Sequence, residues 1–90
     1  QYKSKYPSAL KFQYRYKSQQ PFGVSAIFHD EAFTYIHSSA REKPAIYEIK
    51  DGKPNLINFQ LENGCYIVPK VIDQGYLQVG KKKMSFRRQG

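Results

Sequence analysis

The sequence predicts an all-β domain, a small antiparallel β-sandwich of about eight short strands. Apolar and polar residues alternate strictly in its first segment, where Leu10, Phe12, Tyr14 and Tyr16 interleave with Lys11, Gln13, Arg15 and Lys17. Two dipeptides, Asp51-Gly52 and Asn63-Gly64, supply the positive φ angles that a tight hairpin turn demands. Turn signals recur about every six to ten residues, with no helix-period segment longer than one turn.

The elements follow in order. Residues 9–17 form a half-buried strand. After the punctuation of residues 18–21, a short strand over 24–28 ends at the charged turn His29, Asp30, Glu31, which is expected to be solvated. A strand over 32–37 and a polar loop over 38–43 come next, and Pro44 opens a strand over 45–50, proline being tolerated at a first strand position. The two hairpin dipeptides then imply three antiparallel strands, 45–50, 55–61 and 65–68. Pro69 stops the third, Asp73-Gln74-Gly75 makes a turn, and strands over 76–79 and 83–87 flank Gly80-Lys81. One domain is expected over residues 8–88, with tails at 1–7 and 89–90.

A chain of 90 residues has room for one core, and 40% hydrophobic with 16% aromatic residues is enough to fill it. No apolar run approaches the roughly 20 residues that span a bilayer as a helix. The chain begins with Gln, without an initiator Met, and reads as a mature product or an excised fragment. Fifteen Lys and Arg against seven Asp and Glu give a net charge of +8, which favours encounter with nucleic acid, anionic lipid or an acidic protein. The one cysteine, Cys65, excludes an internal disulfide and a thiolate zinc cluster. Because it follows Asn63-Gly64 directly, Cys65 is expected to be at least partly exposed at a hairpin edge, a candidate for pairing with another chain.

Catalytic frames are missing. His29, Asp30 and Glu31 are adjacent on a turn, so their side chains point apart and no fourth metal ligand sits at a usual spacing. Asp51 and Asp73 lie in turns, where a carboxylate bonds local backbone. Cys65 with a histidine lacks an orienting third group, and no glycine-rich phosphate loop occurs. The reading is a binding module, without catalysis or cofactor. Tyr14-Arg15-Tyr16-Lys17, Lys81-Lys82-Lys83 and Arg87-Arg88 raise the alternative of a basic module for single-stranded nucleic acid. Alternation argues against it, placing the rings of the first strand on one face and its cations on the other. A membrane surface ranks third, since no amphipathic helix is present.

Four blocks in order resemble a known family. Residues 27–36, Ile-Phe-His-Asp-Glu-Ala-Phe-Thr-Tyr-Ile, resemble the "FDDGxFTYF" run of the TrbG/CagX family of type IV secretion and conjugation systems. Pro44-Ala45-Ile46-Tyr47 is similar to its "PAIF", Asp51-Gly52 through Leu56-Ile57-Asn58 to "DGxExLVN", and Gly64-Cys65-Tyr66-Ile67-Val68 to "GDYVVV". Lys70-Val71, Leu77 and Gly80-Lys81 continue in the places of "RV", "L" and "GK", and Tyr14 with Tyr16 match a "YxY" strand. Departures fall at His29, Glu31, Ala32, Cys65 and Pro69.

The resemblance implies a structural domain of the outer-membrane core complex, periplasmic or outer-membrane associated. It would bind a segment of a small lipoprotein, pack against a TonB-like channel-forming subunit and assemble with copies of itself in a ring. An exposed sheet edge can accept an extended peptide by strand addition. The expected partner-binding residues are Leu10, Phe12, Tyr14 and Tyr16 of the first strand with Tyr76, Val79, Met84 and Phe86 of the last two, because terminal strands often lie at edges. Nucleic acid is not the expected partner.

Overall fold

A computed structural model of the protein describes residues 14–17 and 21–89. Nine strands make up the described chain: β1 Tyr14–Tyr16, β2 Val24–His29, β3 Thr34–Ser38, β4 Ala45–Lys50, β5 Lys53–Ile57, β6 Gln60–Glu62, β7 Cys65–Val68, β8 Gln74–Val79 and β9 Lys82–Arg88. They form a five-stranded sheet in the order β1-β9-β8-β4-β5 and a four-stranded sheet in the order β2-β3-β7-β6. Every ladder is antiparallel, and the fold is all-β, as the alternation and turn chemistry predict. Of the expected first strand, residues 9–13 lie outside the described residues, as does the expected tail at 1–7.

Both hairpin dipeptides act as read. Asp51 and Gly52 stand at φ 54° and 74° between the paired Lys50 and Lys53, and Asn63 and Gly64 at 48° and 77° between the paired Glu62 and Cys65. Two successive positive φ angles match the right-handed twist of the flanking strands. Gly80, at φ 61°, turns β8 into β9.

The strand expected over 55–61 is instead two strands in different sheets. β5 pairs with β4 as far as Ile46↔Ile57. Pro44, just before β4, has no N–H with which to extend that ladder, so the chain crosses at Asn58-Phe59 and pairs again with β7. Phe59 fills the crossing, edge-on to Tyr66 at 5.2 Å with the Lys43 ammonium 5.1 Å from its ring centroid. This split makes nine strands where about eight are expected. Gln74 and Gly75 likewise belong to β8 and not to a turn.

The turn at His29-Asp30-Glu31 is also different from expectation. Only Glu31 is exposed, whereas His29 and Asp30 are each 7% exposed. One Asp30 carboxylate oxygen accepts from the N–H groups of Ala32 (2.8 Å) and Phe33 (2.7 Å), and the other accepts from the Tyr35 hydroxyl (2.7 Å). Those bonds hold residues 32 and 33 in the turn, so β3 starts at Thr34 and not at 32.

Between the sheets, Tyr14, Ile46, Leu77, Met84 and Phe86 meet Val24, Ile27, Ile36, Tyr66 and Val68, with Phe22 and Ile72 completing the core. Full burial of each such side chain contributes roughly 1.5–3 kcal/mol. The link from β7 to β8 is pinned to both layers. The Thr34 hydroxyl donates to the Lys70 carbonyl (2.8 Å) and accepts from the Ile72 N–H (3.0 Å), while the Tyr14 hydroxyl donates to the Ile72 carbonyl. Lys70 pairs with the largely buried Glu48 at 2.7 Å, and Asp73 accepts from the Arg88 side chain at 2.7 Å. Thr34 is fully buried, so Thr34→Val keeps the shape but orphans a buried N–H. It is expected to cost about 2 kcal/mol, read as a lower urea midpoint at unchanged slope.

Candidate functional site

A binding module of this architecture offers sheet edges and sheet faces. Among the described strands, β1 has a neighbour, β9, on one side only. Its alternation is as expected: Tyr14 packs in the core and Tyr16 against it, while Arg15 and Lys17 are exposed. Burial raises the pKa of the Tyr14 hydroxyl above its ordinary 10.0, keeping the group protonated as the donor to Ile72.

The expected partner-binding residues are dispersed by the fold. Leu10 and Phe12 lie outside the described residues. Tyr14, Met84 and Phe86 are 9%, 1% and 1% exposed and hold the sheets together; Tyr16 and Val79 pack partly buried against that core. Tyr76 instead points out of the five-stranded sheet, since it alternates with the buried Gly75 and Leu77. The expectation that the last two strands lie at an edge fails, because β9 runs between β1 and β8 and β8 between β9 and β4.

That outer face is what sequence reasoning missed. Register places Leu56, Tyr47, Tyr76 and Ser85 in one row across β5, β4, β8 and β9. Leu56 is 63% exposed, and the Tyr47 and Tyr76 rings stack at 4.9 Å. A neighbouring row pairs Pro54 with Ile49, and Gln74 with Arg87, which lies directly opposite Arg15. The Lys83 ammonium sits 4.9 Å from the Tyr76 ring centroid. Counting registers outward from the hairpin turns would have found these rows, but only with the sheet order known.

The other edge of this sheet, β5, carries its own protection. Lys50 and Lys53 flank a two-residue turn and so exchange both hydrogen bonds, which sends the next backbone nitrogen, that of Pro54, outward. Proline has no N–H to offer there.

Cys65 departs from expectation: it is 3% exposed. β6, not β7, ends the sheet, so Cys65 sits one strand in, and its side chain turns away from the main core to join Phe28 and Tyr35 in a second cluster. Cys65 lies opposite His37 on β3 and Glu62 on β6, yet a thiol this buried meets a substrate or another chain only if the cluster opens. Among the described residues no group of three His, Cys, Asp or Glu is placed to hold a metal ion. No described helix is long and apolar enough to cross a membrane.

Comparison with known proteins decides the family. The family described as CagX, conjugal transfer protein, matches residues 1–89. The chain belongs to the CagX family. It is also 25% identical over 92 residues to a "Probable conjugal transfer protein TrbG" of Sinorhizobium fredii (strain NBRC 101917 / NGR234). That match covers 93% of the chain and 34% of the relative, so the chain spans about a third of the relative's length. The blocks that carry the CagX resemblance are framework. Asp30 and Thr34-Tyr35 form the bonded turn and the clasp on residue 72, Pro44 sets where β4 begins, and Asp51-Gly52 makes a hairpin.

Proposed function

We propose that this CagX-family chain is a structural interaction domain of a type IV secretion outer-membrane core complex. On this reading it binds an extended segment of a small lipoprotein and packs against a TonB-like channel-forming subunit, with copies arranged in a ring at the periplasmic side of the outer membrane. It uses no catalysis and no cofactor. Family membership supports the reading, and the observation that carries the binding mode is that β1, among the described strands, has a neighbour on one side only. A lipoprotein segment would add as a strand beside β1, with Tyr16 at the rim and the β9 backbone behind.

Register makes this testable at single amides. The turn at Gly80 makes Val79 and Lys82 a hydrogen-bonded pair, and counting along β9 directs the Arg87 backbone toward Arg15. The Tyr14 and Tyr16 N–H groups therefore point away from β9. On titration with the lipoprotein segment encoded in the same operon, those two amides are expected to gain at least about tenfold protection from hydrogen exchange, with little sensitivity to salt. Protection that rises elsewhere and leaves both unchanged rejects the edge.

A second reading, binding of single-stranded nucleic acid, is favoured by Tyr76 and Lys83 sharing one face. On that reading, changing Lys81, Lys82 and Lys83 to Glu abolishes oligonucleotide binding, and added salt weakens it steeply.

A further inference from the structure

We infer that the outer face of the five-stranded sheet is a second docking surface, for an acidic protein segment with an apolar anchor. The claim is independent of the edge-strand reading. One half of the face, over β4 and β5, is apolar: Leu56, Tyr47, Ile49 and Pro54 point outward together. The other half, over β9 and β1, is cationic, with Lys83, Arg87 and Arg15. Strands spaced about 4.8 Å apart place the two halves within roughly 19 Å, the reach of a short segment crossing the strands.

Charge selects the occupant. The one Asp or Glu on these five strands is Glu48, which points inward and is paired with Lys70. Arg15 and Arg87 stand directly opposite each other, like charges that an anion between them would offset; the Gln89 amide oxygen, 2.9 Å from the Arg15 Nε, is a neutral acceptor and leaves that charge in place. A second copy presenting the same face would set cation against cation. Nucleic acid fits less well, because Tyr47 stacks on Tyr76 and Lys83 covers it, leaving little ring face for bases, while the aliphatic half offers no stacking surface. An acidic protein segment satisfies both halves, with side chains over Leu56 and carboxylates between Arg15 and Arg87.

The test places a photoreactive benzoyl-phenylalanine at Leu56 of the full-length protein in its native cells, with the cross-linked peptide identified by mass spectrometry. The expected result is an adduct with a net-acidic segment of another protein. Its yield should fall at least about tenfold in the double variant Arg15→Glu, Arg87→Glu, fall partially in Arg15→Gln, Arg87→Gln, and stay unchanged in Arg41→Glu, a reversal in the loop before β4. The variants alter exposed side chains, so their melting temperatures should match the parent. An adduct with lipid, nucleic acid, a second copy or a basic segment overturns the proposal, as does a yield indifferent to the charge reversals or no adduct at all. The edge test reads β1 amides and this one a β5 side chain, so either can fail while the other holds.

Discussion

Gly75→Ala is expected to cost at least about 3 kcal/mol, the high end of overpacking, and to lower the melting temperature by roughly 12–24 °C. A Cβ at this position would lie 2.2 Å from the carbonyl oxygen of Tyr47 and 3.1 Å from the Phe86 ring. The ring can shift, but the carbonyl belongs to β4, which pairs with β8 through Glu48↔Gly75 and Tyr47↔Tyr76. Relief must come from parting two central strands. Gly80→Ala is the control: its φ is 61° but a Cβ there meets open space, so it carries only the strain of a left-handed residue, about 1 kcal/mol. Thermal melts of the two variants separate close approach from backbone conformation, and equal losses would refute the close-approach account.

Asp30→Ala is expected to cost about 3 kcal/mol, since three hydrogen bonds to a charged acceptor disappear, that from the Tyr35 hydroxyl among them. The same bonds give the carboxyl a pH signature. Its burial raises the pKa, but the bonds from the Ala32 N–H, the Tyr35 hydroxyl and the Phe33 N–H together outweigh that and hold it below the ordinary 3.8. A depressed carboxyl stabilises the fold above its unfolded value and loses that contribution as pH falls through the folded one. The urea midpoint of the parent should therefore fall as pH drops below about 3.8, and that of Asp30→Ala should fall less steeply across that window. Parallel pH profiles for the two proteins would show that Asp30 does not carry the effect.

What the sequence made legible was local. Asp51-Gly52 and Asn63-Gly64 announce their hairpins because only a few residue types tolerate two positive φ angles. The alternation of Tyr14, Arg15, Tyr16 and Lys17 states which side chains enter the core. What stayed hidden depends on pairing between distant segments. Residues 55–61 read as one strand because hydrophobic period cannot tell which sheet each half joins, and the break follows from what Pro44 cannot offer a strand eleven or more residues away. His29 and Asp30 look like a solvated turn until Tyr35 is seen to close over the carboxylate. Cys65 looks like an edge until β6 is placed outside it. The outer face was invisible for the same reason: Leu56, Tyr47, Tyr76 and Arg87 come from four strands, and no segment of the sequence shows them side by side.

Pro54 bears on assembly. A sheet with two open margins is a monomer for indefinite growth, since each added chain exposes the next margin. With a proline nitrogen facing outward from β5, one margin of the five-stranded sheet is a poor template, and head-to-tail propagation through that sheet has no second site to continue from. On the proposed reading, an incoming strand at β1 would act as a terminator of this sheet, so that copies brought together would meet through side chains on its faces without extending its ladder.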